Sequence, residues 1–117
     1  MPPQAKPPIF TLLSELTGWT LDRTASFPRS HRFTFGERID RLTLDALERC
    51  LEAIYAPPSI KAESLRQLNL ILEKLRVFWR IVCEKGWISQ RQLLFVAGKI
   101  DEIGRMTGAW LQSVKGR

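Results

Sequence analysis

Leu65, Leu68, Leu72, Leu75, Trp79 and Val82 recur at alternating three- and four-residue steps, which lays one apolar seam along the face of an α-helix. Ile71 and Phe78 flank it. Nothing else in the chain limits its fold as strongly. The seam predicts a helix over residues 60–84, and so long an apolar face needs other helices to cover it.

Three further stretches supply them, each bounded by local stop signals. Ile9, Leu12, Leu13, Leu16, Trp19 and Thr20 predict a helix over about 9–24, ending before Phe27-Pro28 because the residue preceding a proline is pushed out of the helical region. The connection from Ser26 to Phe33 reads as irregular and basic. Thr34 and Glu37 form the sequence pattern of a capping box, opening a second helix over 34–55. Phe35, Ile39, Leu42, Ala46, Cys50, Ala53 and Ile54 make its stripe, widened by Leu44, Leu47 and Leu51. Ala56-Pro57-Pro58 ends it, and Ser59 is placed to cap the third helix. Lys85-Gly86 is a helix stop, with Trp87 and Ile88 supplying its hydrophobic contact. Ser89 and Gln92 form a second capping box for a fourth helix over 89–114, with the stripe Leu93, Ala97, Ile100, Gly104, Thr107, Leu111 and Val114. Gly98, Gly104 and Gly108 lower its helix propensity, which predicts close backbone approach to a neighbour. No hairpin signal or internal repeat is visible. The expected architecture is all-α: an up-down-up-down antiparallel four-helix bundle spanning 9–117 as one domain, preceded by a flexible Pro-rich arm over residues 1–8.

Composition agrees with a folded chain. Of the 117 residues, 44% are hydrophobic and 26% charged, which excludes a disordered tail. No apolar run approaches the ~20 residues of a membrane span, and no signal-peptide core is present. Cys50 and Cys83 fall within apolar helical patterns, so they are expected as buried free thiols in a cytoplasmic protein.

The net charge of +6 is unevenly placed. Residues 1–60 balance seven basic against seven acidic groups, so residues 61–117 hold the whole excess. Arg66, Glu73, Arg76 and Arg80 recur opposite the Leu seam, with Lys74 and Lys85 beside them, and the fourth helix adds Arg91, Lys99, Arg105 and Lys115 before Arg117. Arg76 and Arg80 stand one turn apart, a spacing that suits two forks straddling phosphates. Such a face would bind polyanions in a salt-dependent, sequence-indifferent way. A solvated face or a subunit interface would use the same residues. Trp87, Gly104, Gly108 and Trp110 are the candidates for contacts between copies, since Trp is frequent at the energetic centres of interfaces.

Motifs of catalysis are missing. There is no metal-ligand spacing, P-loop, dinucleotide fingerprint or nucleophile elbow. His31, the lone histidine, lies between Arg29 and Arg32 without the Arg–His spacing of helical-bundle RNases. Asp101 and Glu102 are adjacent and so point about 100° apart, too far to share a proton. Asp101 is expected to pair with Arg105 one turn on. The residues predict neither enzyme, cofactor nor metal site.

Three segments stand out in order along the chain: Phe27-Pro28-Arg29-Ser30-His31-Arg32-Phe33-Thr34-Phe35-Gly36-Glu37-Arg38-Ile39, then Leu72-Glu73-Lys74-Leu75-Arg76, and Asp101-Glu102-Ile103-Gly104-Arg105-Met106-Thr107-Gly108-Ala109-Trp110-Leu111. Together they resemble the accessory variability determinant (Avd) family of diversity-generating retroelements. Four-helix proteins encoded in ribosomal-RNA intervening sequences share the general pattern, but the last segment favours Avd. The resemblance covers about residues 9–114. It implies a four-helix bundle that assembles as a homopentameric barrel, binds nucleic acid and the element's reverse transcriptase, and supports mutagenic cDNA synthesis and retrohoming without being a catalyst. Lys74, Arg76, Arg80 and Arg105 match basic positions of the family. Trp79 and the linker Ala56-Pro57-Pro58-Ser59 depart from its pattern. The alternative is an interaction and assembly module of the intervening-sequence type with no specific nucleic-acid role.

Overall fold

The structure, a computed structural model, describes residues 6–116; the first five residues of the expected arm, and Arg117, lie outside the described residues. Four long helices run Pro8–Thr24 (α1), Glu37–Tyr55 (α3), Pro58–Glu84 (α4) and Gln90–Lys115 (α5). A single turn, Arg29–His31 (α2), and a π-helical stretch, Arg32–Gly36, lead into α3. No strand occurs among the described residues. The long helices pack cyclically, α1 on α3, α3 on α4, α4 on α5 and α5 back on α1. Short connections make each an antiparallel neighbour of the next, giving the expected four-helix bundle.

The Leu seam forms the centre. Leu65, Leu68, Leu72, Leu75, Trp79 and Val82 are all buried, facing Leu13 and Leu16 of α1, Ile39, Leu42, Ala46 and Cys50 of α3, and Ile100 and Ile103 of α5 within one core. Five threonines are buried, and three of them bond back along their own helix. Thr17, Thr43 and Thr107 donate their hydroxyls to the carbonyls of Leu13, Ile39 and Ile103, one turn back, at 2.7, 2.8 and 2.8 Å.

The α4–α5 corner follows the sequence closely. Gly86 adopts φ +79°, and the amides of Gly86 and Trp87 donate to the carbonyls of Cys83 and Val82, the paired bonds of a Schellman stop. Ile88 is buried against it. Ser89 Oγ then accepts from the Gln92 amide at 3.1 Å, while Gln92 Oε1 accepts from the Ser89 amide at 2.8 Å. Both halves of this capping box are made.

Elsewhere the expectations need correction. α1 begins at Pro8, a residue suited to the first helical position because its missing N–H is unpaired there anyway. Likewise α4 starts on Pro58, so Ser59 lies inside the helix and caps nothing. The Thr34–Glu37 capping box does not form, because the chain is already helical from Arg29 and Thr34 has no free helix end to cap. Its hydroxyl instead donates to His31, and Glu37 turns to Arg41 at 2.8 Å. The connection expected to be irregular is thus mostly helical. Gly36 fits closely there: a Cβ would come within 3.3 Å of the Phe27 ring, which would have to shift slightly.

Two stripes also shift. On α3, Leu44 is exposed. On α5 the buried residues are Val96, Ile100, Ile103, Thr107 and Val114, while Leu93, Ala97, Gly104 and Leu111 form a half-buried flank. Val96 and Ile103 hide more apolar surface than Ala97 and Gly104, so the helix settles with them inward. Gly98, Gly104 and Gly108 show no close backbone approach within the chain, since a Cβ at each would meet nothing within 4 Å.

Candidate nucleic-acid interface

The cations singled out in the sequence sit on α4 and α5, spread over several faces, and their partners separate them into two groups. Arg66 donates to Glu63 at 3.0 Å, one turn back on the exposed surface of α4. Lys99 lies 3.6 Å from Glu15 of α1 and also stands over the Phe95 ring. Arg76 is the most engaged. Its Nε and Nη2 donate to Asp101 Oδ1 at 3.2 and 2.8 Å, and its Nη1 donates to Glu73.

Arg76 is therefore a tie between α4 and α5 rather than one arm of a phosphate fork with Arg80. Its carboxylate partner was expected to serve Arg105; Asp101 turns across the helix interface instead. The cross-helix geometry brings two of its guanidinium nitrogens to the carboxylate.

Lys74, Arg80, Arg91 and Arg105 form the second group. All four are exposed, and none is engaged by a carboxylate among the described residues. Arg105 shares an open groove of about 520 Å³ with Arg76, Asn69, Glu73, Asp101 and Gly104 between α4 and α5. Lys74 lines a second groove of about 370 Å³ between α3 and α4, together with Arg38, Arg49, Asp45 and the exposed Leu70. Arg49 is held by Glu52 at 2.6 Å, so Lys74 and Arg38 are its uncommitted cations. Unpaired guanidinium and ammonium groups along exposed helices are suited to phosphate oxygens, which they meet without first breaking an internal ion pair.

Arg38 was not singled out in the sequence, nor were Arg29 and Arg32. Their half of the chain is neutral on balance, and charge arithmetic hid them. The fold brings them toward the end of the bundle where α4 stops and α5 starts: His31 stacks on Trp87 with ring centroids 4.7 Å apart. The signal was the basic run between Pro28 and Ile39, visible only once that segment is placed beside Trp87.

The aromatic candidates divide as well. Trp87 is committed within the chain, packing on Phe27 and Phe35 as well as His31. Trp110 is half-buried at the opposite end, with Lys61 over its ring at 5.7 Å, in an apolar groove of about 370 Å³ formed with Pro7, Pro8, Ile9, Ile54 and Met106. Gly104 and Gly108 leave open space on α5.

Two titrating groups lie outside α4 and α5. Burial pushes the Asp40 carboxyl above its usual range, with the Thr24 hydrogen bond opposing the shift and Glu37 adding to it. Burial pushes the Cys50 thiol up to about 11. No group of three His, Cys, Asp or Glu side chains stands ready for a metal ion among the described residues. No described helix is long and apolar enough to cross a membrane.

Fold and surface together define a small antiparallel helical bundle with exposed, carboxylate-free cations on α4 and α5. Its family follows from comparison with known proteins. A family model described as bAvd-like matches residues 10–114, and the chain belongs to that family. No curated protein matches it.

Proposed function

We propose that this chain is a non-catalytic accessory protein of a diversity-generating retroelement, acting in the cytoplasm. It holds template RNA or cDNA by phosphate contacts and docks the element's reverse transcriptase, supporting mutagenic cDNA synthesis and retrohoming. Membership of the bAvd-like family over residues 10–114 carries this reading. Lys74, Arg80, Arg91 and Arg105 support it, because they are exposed cations of α4 and α5 left without carboxylate partners.

Copies associate as a homopentamer through the outward side of α5. The open glycines support that interface: a helix surface lacking side-chain bulk lets a second backbone come close. Co-expression with a reverse transcriptase from such an element tests the docking. The two proteins are expected to co-purify at moderate salt and carry nucleic acid, read as a raised 260/280 nm absorbance ratio. Separate elution of the two proteins would contradict it.

A second reading has its own observation. Leu70 and Val77 project from the solvent side of α4, and Leu94 on α5 is 73% exposed, a pattern suited to pure protein assembly. An assembled protein free of nucleic acid, with unchanged assembly on replacing Arg80 and Arg105, would favour it.

A further inference from the structure

The π-helical stretch leading into α3 carries an unusual surface. Phe33 is 71% exposed, though most phenylalanines of the chain pack against one another or the core. Two open grooves meet at its ring. Leu21, Thr24, Arg32 and Asp40 border one, of about 380 Å³; Thr34, Arg38 and Arg41 border the other, of about 280 Å³. Glu37 touches both.

The charges here are not evenly committed. Glu37 accepts from Arg41 at 2.8 Å, and Asp40 accepts from the Thr24 hydroxyl at 2.6 Å. Both carboxylates are thus occupied inside the fold. Arg32 makes only a long contact to the Phe27 carbonyl, 3.4 Å, and Arg38 has no carboxylate partner among the described residues. The corner therefore offers a bare aromatic face with one uncommitted guanidinium on each side. Its base is packed, with Gly36 lying close to the buried Phe27 ring and His31 stacking on Trp87. π-Helical segments are frequently placed at functional sites, where they re-aim a side chain.

We infer that Phe33, with Arg32 and Arg38, forms a stacking site for an unpaired nucleotide. A ring flanked by cations matches what an unpaired nucleotide presents, a flat base with phosphates on either side. A duplex hides its base faces in its own stack and cannot use Phe33 in this way. An acidic peptide would satisfy the two guanidinium groups but leave the ring without a partner. The site lies on the segment before α3 and on the first turn of α3, is built from residues other than the α4 and α5 cations, and shares with the proposed function only that its ligand is nucleic acid.

Fluorescence anisotropy tests the site with three labelled probes: a mixed-sequence single-stranded oligonucleotide, its duplex and a deca-glutamate peptide. Phe33→Ala is expected to weaken the single strand about tenfold while leaving duplex affinity and Tm unchanged, as loss of one stacked base predicts. Phe33→Trp is expected to retain affinity and to add fluorescence that the single strand quenches. Arg38→Ala should weaken single strand and peptide alike. Single-strand affinity unchanged in Phe33→Ala overturns the site, as does equal weakening of all three probes. The fourfold Lys74, Arg80, Arg91, Arg105→Ala variant separates the two claims. If it abolishes binding while Phe33→Ala does nothing, the role of the α4 and α5 cations stands and the stacking site falls; if only Phe33→Ala loses the single strand, the stacking site stands alone.

Discussion

Trp79 joins the core of α4 to two neighbouring elements, its ring meeting Trp19 of α1 edge-on at 5.2 Å and Phe27 at 6.1 Å. It is also the largest fully buried side chain. Trp79→Ala should cost about 3–5 kcal/mol, since three elements converge on its volume and cannot collapse together; urea unfolding measures this. Cys50 gives a pH-dependent prediction. Its folded thiol is pushed up to about 11 from an ordinary 9.0, so only the unfolded chain ionises there first. Below pH 9 this favours the fold in full; from pH 9 to 11 the unfolded state loses its proton and stability falls, by roughly 2–3 kcal/mol. Cys50→Ala should flatten that alkaline decline, and native Cys50 should react with a thiol reagent more slowly than half-buried Cys83. Trp79 was legible in the sequence because its spacing matched the seam. Arg76 was legible only as a charge: whether its fork meets a phosphate or Asp101 depends on where α5 sits, which helix periodicity does not specify.

At the level of elements, the α4–α5 corner could be read in advance because Gly86, Ser89 and Gln92 act within a few residues of one another. The entry to α3 could not. Thr34-x-x-Glu37 has the same local chemistry as Ser89-x-x-Gln92, yet capping requires a free helix end, and the turn at Arg29–His31 had already supplied the start. The α5 stripe was misplaced for a related reason: small residues fit either face, and packing on α1 and α4 chooses between them. Two predictions belong here. Arg76→Ala should lower stability by about 1 kcal/mol, the scale of a partly exposed ion-pair network, with little change in nucleic-acid affinity. Gly104→Ala and Gly108→Ala should each raise the stability of an isolated bundle by up to about 1 kcal/mol, since the added methyl meets no atom of the chain. If copies pack on α5, the same changes should also reduce the mass seen by light scattering; unchanged mass would exclude that side as the interface.

For the whole molecule, the +6 of the chain has a spatial meaning that its position in the sequence does not convey. Arg66, Arg76 and Lys99 are spent on internal ion pairs, while Lys74, Arg80, Arg91 and Arg105 are among the exposed cations that remain, and Arg32 and Arg38 join them from the half that is neutral on balance. Assembly of several copies would repeat this set around one particle and strengthen its field toward a polyanion. The most direct test is the salt dependence of single-stranded nucleic-acid affinity, by filter binding, for the native chain and the fourfold Lys74, Arg80, Arg91, Arg105→Ala variant. The native chain should lose affinity steeply as salt rises, and the variant should bind more weakly with a log–log slope shallower by up to roughly 3, near 0.7 for each phosphate contact removed. Equal affinity and equal slope in the two proteins would contradict these α4 and α5 cations as the nucleic-acid interface.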